Sequence, residues 1–140
     1  MFIRLNQTLV LACPPGYTMV SGKCFKVYDT PKNYYEAQTV CHADGGRLAH
    51  VTNEAINDWI SKQNDGYIWF AATATSHGSW VNDDGSALEW KNWYPGKPVG
   101  SDTFINCGLI KYDIKYGSKT GLWTDAACFK DHPFVCEGKP

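Results

Sequence analysis

Trp93-Tyr94-Pro95-Gly96-Lys97-Pro98-Val99-Gly100-Ser101-Asp102-Thr103-Phe104-Ile105-Asn106-Cys107 is the stretch on which the reading of this chain turns. Pro95 and Pro98 lack the backbone donor that a helix or a central strand needs, and Gly96 and Gly100 add backbone freedom, so the segment is a loop. Loops of this length inside a compact domain are uncommon, and ordered ones on a rigid scaffold are where binding surfaces are built. The loop ends on Cys107, and Trp123-Thr124-Asp125 and Cys128 follow it. If a disulfide staples the loop end to that later segment, side chains from both face one shared surface.

Working outward, 140 residues suffice for one domain and one core, burying roughly 68–70% of the surface that the unfolded chain exposes. A formal charge of −1, with basic residues scattered, gives no footprint for nucleic acid or an anionic membrane. No segment reaches the ~18 apolar residues of a membrane span, so membrane insertion is not expected. Cysteines at 13, 24, 41, 107, 128 and 136 form no C-x-x-C pair, which favours disulfides over zinc or a redox dithiol. That places the protein in a secreted or extracellular setting, with the connectivity left open by spacing alone. Residues 1–12 read as an N-terminal extension or the remnant of a signal segment, since Asn6-Gln7-Thr8 interrupts the apolar run. The domain proper is expected over 13–140.

Cys13-Pro14-Pro15-Gly16-Tyr17 to Cys24 reads as a hairpin leading into Lys23–Tyr28. Asn33 and Glu36 have the spacing of a capping box for a first helix with Tyr34, Ala37, Val40 and Cys41 on one face, ended by Gly45-Gly46. Arg47–Val51 is a short strand, and Thr52 or Asn53 caps a second helix that presents Ile56, Trp59 and Ile60. Strands are expected at Ile68–Thr75, Trp80–Val81, Asn106–Tyr112, Gly121–Ala126 and Pro133–Glu137. Two early helices followed by a mostly antiparallel β half make an α+β domain.

Taken in order, these features resemble the C-type lectin-like domain family across residues 13–137. The resemblance is carried by the Cys13/Cys24 hairpin of its long form, Cys41 at a helix end, Trp69-Phe70-Ala71-Ala72, Trp80, and Asp84-Gly85-Ser86. It continues through Trp93, the Pro95-Gly96-Lys97-Pro98 segment, Cys107, Trp123-Thr124-Asp125, Cys128 and Phe134-Val135-Cys136-Glu137. It implies two helices packed on small antiparallel sheets with a long loop region, and the pairs Cys13–Cys24, Cys41–Cys136 and Cys107–Cys128. On a chain-entropy model the longest of these closures stabilises by roughly 4–5 kcal/mol.

Sugar-binding members of that family hold a calcium ion at the loop, a hard cation that takes 6–8 oxygen ligands by the general rule, roughly speaking. Carried over position by position, the ligand triplet falls on Lys97-Pro98-Val99, the next ligand on Ile105, and the final pair on Thr124-Asp125. Only Asp125 keeps a ligand. The neighbouring calcium site falls on Thr73, His77, Gly100 and Ile105, and an accessory site near the second helix retains Glu137. No metal and no cofactor is therefore expected; Lys97 either replaces the ion's charge through a contact with Asp125 or points into solvent, with either isomer of the Lys97-Pro98 bond open.

Enzymatic function has no support: there is no nucleophile motif or phosphate loop, and His42, His50, His77 and His132 show no metal-ligand spacing. Trp69, Trp80, Trp93 and Trp123 are assigned to packing. The candidate ligand-binding residues are Tyr94, Lys97, Val99, Asp102, Phe104, Asn106, Tyr112, Tyr116 and Asp125. The expected function is calcium-independent recognition of a protein or glycan, with ice or mineral surface binding as the alternative.

Overall fold

The computed structural model describes residues 2–5, 8–100, 105–111 and 121–139. Strands β1 (Phe2–Leu5) and β2 (Thr8–Leu11) pair antiparallel in a separate ribbon, so the segment expected as an extension has regular backbone. Strands β3 (Thr18–Val20) and β4 (Lys23–Lys32) form the expected hairpin, closed by the Cys13–Cys24 disulfide. Its two-residue turn has φ of 52° at Ser21 and 78° at Gly22. Positive φ at both positions matches the twist of the flanking strands.

Helix α1 (Tyr34–Ala43) begins with the predicted reciprocal cap, in which the Glu36 N–H donates to Asn33 Oδ1 and the Asn33 N–H to Glu36 Oε1. Strand β5 covers only Arg47–Leu48, shorter than the predicted Arg47–Val51. The reason lies in the partners: Ala49 bonds to two different strands, through Val135 and Ala71, and the His50 N–H is taken by the Glu137 side chain. Asn53 caps α2 (Glu54–Ser61) by accepting from the Ile56 N–H. The remaining strands are β6 (Ile68–Ala74), β7 (Trp80–Asn82), β8 (Asn106–Ile110), β9 (Trp123–Ala127) and β10 (His132–Gly138).

Strands β3 to β10 form one sheet, in the path β3-β4-β10-β6-β8-β9 with β5 on β10 and β7 on β6. Its pairings are antiparallel apart from the β6–β10 contact at Trp69 and Phe134. At β6 the sheet is buried on both faces, which is why Ile68 through Ala72 form an unbroken apolar run. Strand periodicity then divides that run. Ile68, Phe70 and Ala72 join Ile56 and Ile60 of α2, Val135 and Trp123 on one side; Trp69 and Ala71 join Tyr34, Ala37 and Cys41 of α1 with Phe134 on the other. Tyr34 docks α1 through its hydroxyl, which donates to the Ala71 carbonyl at 2.8 Å, and burial pushes that phenol's pKa well above its ordinary value.

Two disulfides tie this assembly: Cys41–Cys136 joins α1 to β10, and Cys107–Cys128 joins β8 to the end of β9. All three pairs are those the resemblance implies. Among the described residues, no helix is long and apolar enough to cross a membrane.

Candidate binding face of the long loop

The loop is set by what lies beneath it. Trp123 is fully buried, and its indole N–H donates to Asn57 Oδ1 at 2.7 Å. Asn57 in turn donates from Nδ2 to the Gly121 carbonyl at 3.0 Å, and Asn92 donates to the same carbonyl at 3.1 Å. Such a closed buried network fixes a unique arrangement because each group left unpaired costs a desolvation penalty. Gly121 is required here: φ is +65°, and a Cβ would stand 2.5 Å from Asn57 Nδ2.

Rings complete the support. Phe70 lies 4.5 Å from Trp123, centroid to centroid, Trp93 5.3 Å and Trp90 5.7 Å, while Trp80 packs edge-on against Trp93. Trp69 and Trp123 are fully buried and Trp80 and Trp93 partly buried against the core, as their assignment to packing predicts. The backbone follows the rings: the Trp123 N–H donates to Asn92 O at 2.7 Å and the Tyr94 N–H to Trp123 O at 2.9 Å. Tyr94 is half-buried at the loop entrance, where its carbonyl accepts the Lys97 N–H at 2.8 Å to close a turn.

The Lys97-Pro98 bond is cis. Pro98 has no N–H, so the next amides in the chain are those of Val99 and Gly100, and both go to Asp125. Val99 donates to Oδ1 at 2.9 Å, Gly100 to Oδ2 at 2.7 Å, and Asn106 Nδ2 to Oδ2 at 2.8 Å. This overturns the expected Lys97–Asp125 pair: among the described residues, the ion pairs link Arg47, His50, Asp83, Asp84 and Glu137, and none joins Lys97 to Asp125. Two main-chain amides and one side-chain amide compensate the carboxylate more directly than a flexible ammonium does. Charge-assisted bonds of this type are the stronger class.

Of the predicted binding residues, the structure thus gathers Tyr94, Lys97, Val99, Asn106 and Asp125 at the loop and β9. Asp102, Phe104, Tyr112 and Tyr116 lie outside the described residues. Val99 is 70% exposed and Ile105 44% exposed, so two of the other positions that would supply calcium ligands present apolar side chains to solvent. Sequence reasoning missed Gly100, which contributes through its backbone, and Asn57, which a polar residue beside Ile56 on a buried helix face signals. It also missed the exposed Phe129, next to Cys128.

Comparison with known proteins identifies the family and the fold. A family model described as the Lectin C-type domain matches residues 30–138. Tetranectin of Mus musculus is 30% identical over 145 residues, covering 96% of this chain and 68% of tetranectin. The C-type lectin BfL-2 of Bungarus fasciatus is 27% identical over 152 residues, covering 99% of this chain and 91% of its own length. Among solved structures, a calcium-independent type II antifreeze protein superposes with a TM-score of 0.80 at 24% identity, covering 93% of this chain and 96% of that one. At that identity the likeness concerns the fold.

Proposed function

The chain belongs to the C-type lectin domain family, and from that premise we propose that it is a secreted recognition domain that binds a glycan or protein ligand through the loop face without calcium. Relatives that it resembles are C-type lectins by name. The observation that carries calcium independence is the state of Asp125. Both its carboxylate oxygens already accept N–H donors from Val99, Gly100 and Asn106. A calcium ion arriving there would find three of the carboxylate's roughly four acceptor sites already taken, and Lys97, Val99 and Ile105 offer it no side-chain oxygen.

What remains on this face is the backbone of Val99 and Gly100 fixed on Asp125, with the exposed side chains of Val99 and Ile105, over a buried aromatic base. Apolar side chains beside ordered amides suit a sugar ring's C–H face or a protein partner's side chains. Three disulfides support secretion, since such bonds persist in oxidising compartments.

A glycan array run in calcium and again in chelator tests the reading. Equal signals under both conditions are expected for any glycan retained. Binding that disappears in chelator would overturn calcium independence, whereas silence under both conditions turns the search to protein ligands or, by thermal hysteresis, to ice.

A further inference from the structure

Away from the loop, His50, Asp83 and Asp84 converge although the chain separates His50 from the two carboxylates. His50 follows β5, and both aspartates lie in the turn after β7. The His50 side chain is only 7% exposed, and its Nε2 is buried with no hydrogen-bond partner. An imidazole nitrogen so placed calls for an occupant, because buried polar atoms are nearly always satisfied. Asp83 Oδ1 stands 3.4 Å from Nε2 and Asp84 Oδ2 4.0 Å, and the three ligand atoms all lie within 4.8 Å of one another.

The outer atoms are already committed. Gln38 Nε2 donates to Asp83 Oδ2 at 3.2 Å, while the Ser86 N–H and hydroxyl both donate to Asp84 Oδ1, at 2.9 and 2.6 Å. Each carboxylate is therefore held by one oxygen with the other turned toward Nε2, the kind of outer support that orients metal ligands. The Glu137 carboxylate fixes the backbone of His50 through its N–H at 3.1 Å.

We propose that His50 Nε2, Asp83 Oδ1 and Asp84 Oδ2 form a binding site for a divalent transition-metal ion of the zinc type, independent of the ligand held by the loop face. Tetrahedral zinc with bonds near 2.0–2.2 Å separates its ligand atoms by about 3.4 Å. The Asp83 distance has that value, and Asp84, exposed on its turn, closes the remaining gap by a small side-chain movement. The imidazole nitrogen selects against calcium, which prefers oxygen alone. One contact competes: Arg47 Nη1 lies 3.6 Å from Asp84 Oδ2, while its Nη2 stays 3.2 Å from Glu137 Oε2. Arg47 is partly exposed, and loses the first contact while keeping the second.

The test is isothermal titration of the full chain, stripped of metal, with zinc chloride and separately with calcium chloride. One zinc per chain is expected, at least tenfold weaker in both His50→Gln and Asp84→Asn, with calcium much weaker than zinc. The surface variant Asp84→Asn decides the matter if His50→Gln does not fold. Absence of zinc binding, or an affinity unchanged in Asp84→Asn or in folded His50→Gln, would overturn the site; calcium binding as tight as zinc would overturn the role of the imidazole.

Discussion

Trp123 and Asp125 stand two residues apart on β9, yet they are held in different ways. Trp123 is enclosed by side chains, Phe70, Trp90 and Trp93 around its ring and Asn57 at its N–H. Asp125 is held chiefly by the main chain, through the amides of Val99 and Gly100, with one side-chain amide from Asn106. Side-chain partners fix a position by shape, so a change there is felt through the core. Main-chain partners fix it by the path of the loop, so a change there stays in the loop. The lower layer thus supplies stability and the upper layer supplies a surface that can vary in residue type without unfolding the domain.

The largest effect expected from this difference is at Trp123. Replacing it with alanine removes a fully buried indole and strips Asn57 Oδ1 of its donor, so Trp123→Ala should cost about 3–5 kcal/mol in denaturant unfolding with the disulfides intact. A cost under about 1 kcal/mol would mean that the aromatic layer is not what carries the loop, and the contrast would fail.

The same contrast explains what was legible beforehand. The cap at Asn33–Glu36 and the apolar run from Ile68 are written in residue types, the cysteine pairs follow only from the family likeness, and the structure has all of them. The ligand positions that lack oxygens, Lys97, Val99 and Ile105, were legible for the same reason. What compensates Asp125 was not. A backbone N–H is common to every residue but proline, so no letter of the sequence marks Val99 or Gly100 as a donor, whereas lysine beside aspartate invites an ion pair that the fold does not make. The grouping of His50 with Asp83 and Asp84 is hidden on other grounds. The distance of His50 along the chain from Asp83 conceals a proximity that exists only once β5 and β7 are set around β6 and β10.

A smaller and more local effect is expected at Asp125. Asparagine keeps the shape but turns one acceptor into an amide donor, which then faces the N–H of Gly100 or of Val99, or the Asn106 amide. Asp125→Asn should cost about 1–2 kcal/mol. The sharper readout is hydrogen exchange: the Val99 and Gly100 amides should lose protection, while the Trp123 amide, bonded to Asn92 O, keeps it. Equal loss at Trp123 would show that the two layers open together and that the loop is not a separate unit.

The smallest effect is the one expected from calcium. An ion that binds the native state at a hundred times its Kd stabilises by about 2.7 kcal/mol, which moves the melting temperature of a domain this size by several degrees. Because both Asp125 oxygens already accept N–H donors and its neighbours bring no carboxylate, millimolar calcium should leave the melting temperature within about 1 °C of its value in a calcium-selective chelator. The choice of chelator matters, since a general one would also strip zinc from His50, Asp83 and Asp84 and lower the melting temperature for a reason unrelated to the loop. Running Asp84→Asn beside the native chain separates the two. A calcium-dependent rise that persists in Asp84→Asn and disappears in Asp125→Asn would place an ion at the loop, and would mean that the amides of Val99 and Gly100 give way to it.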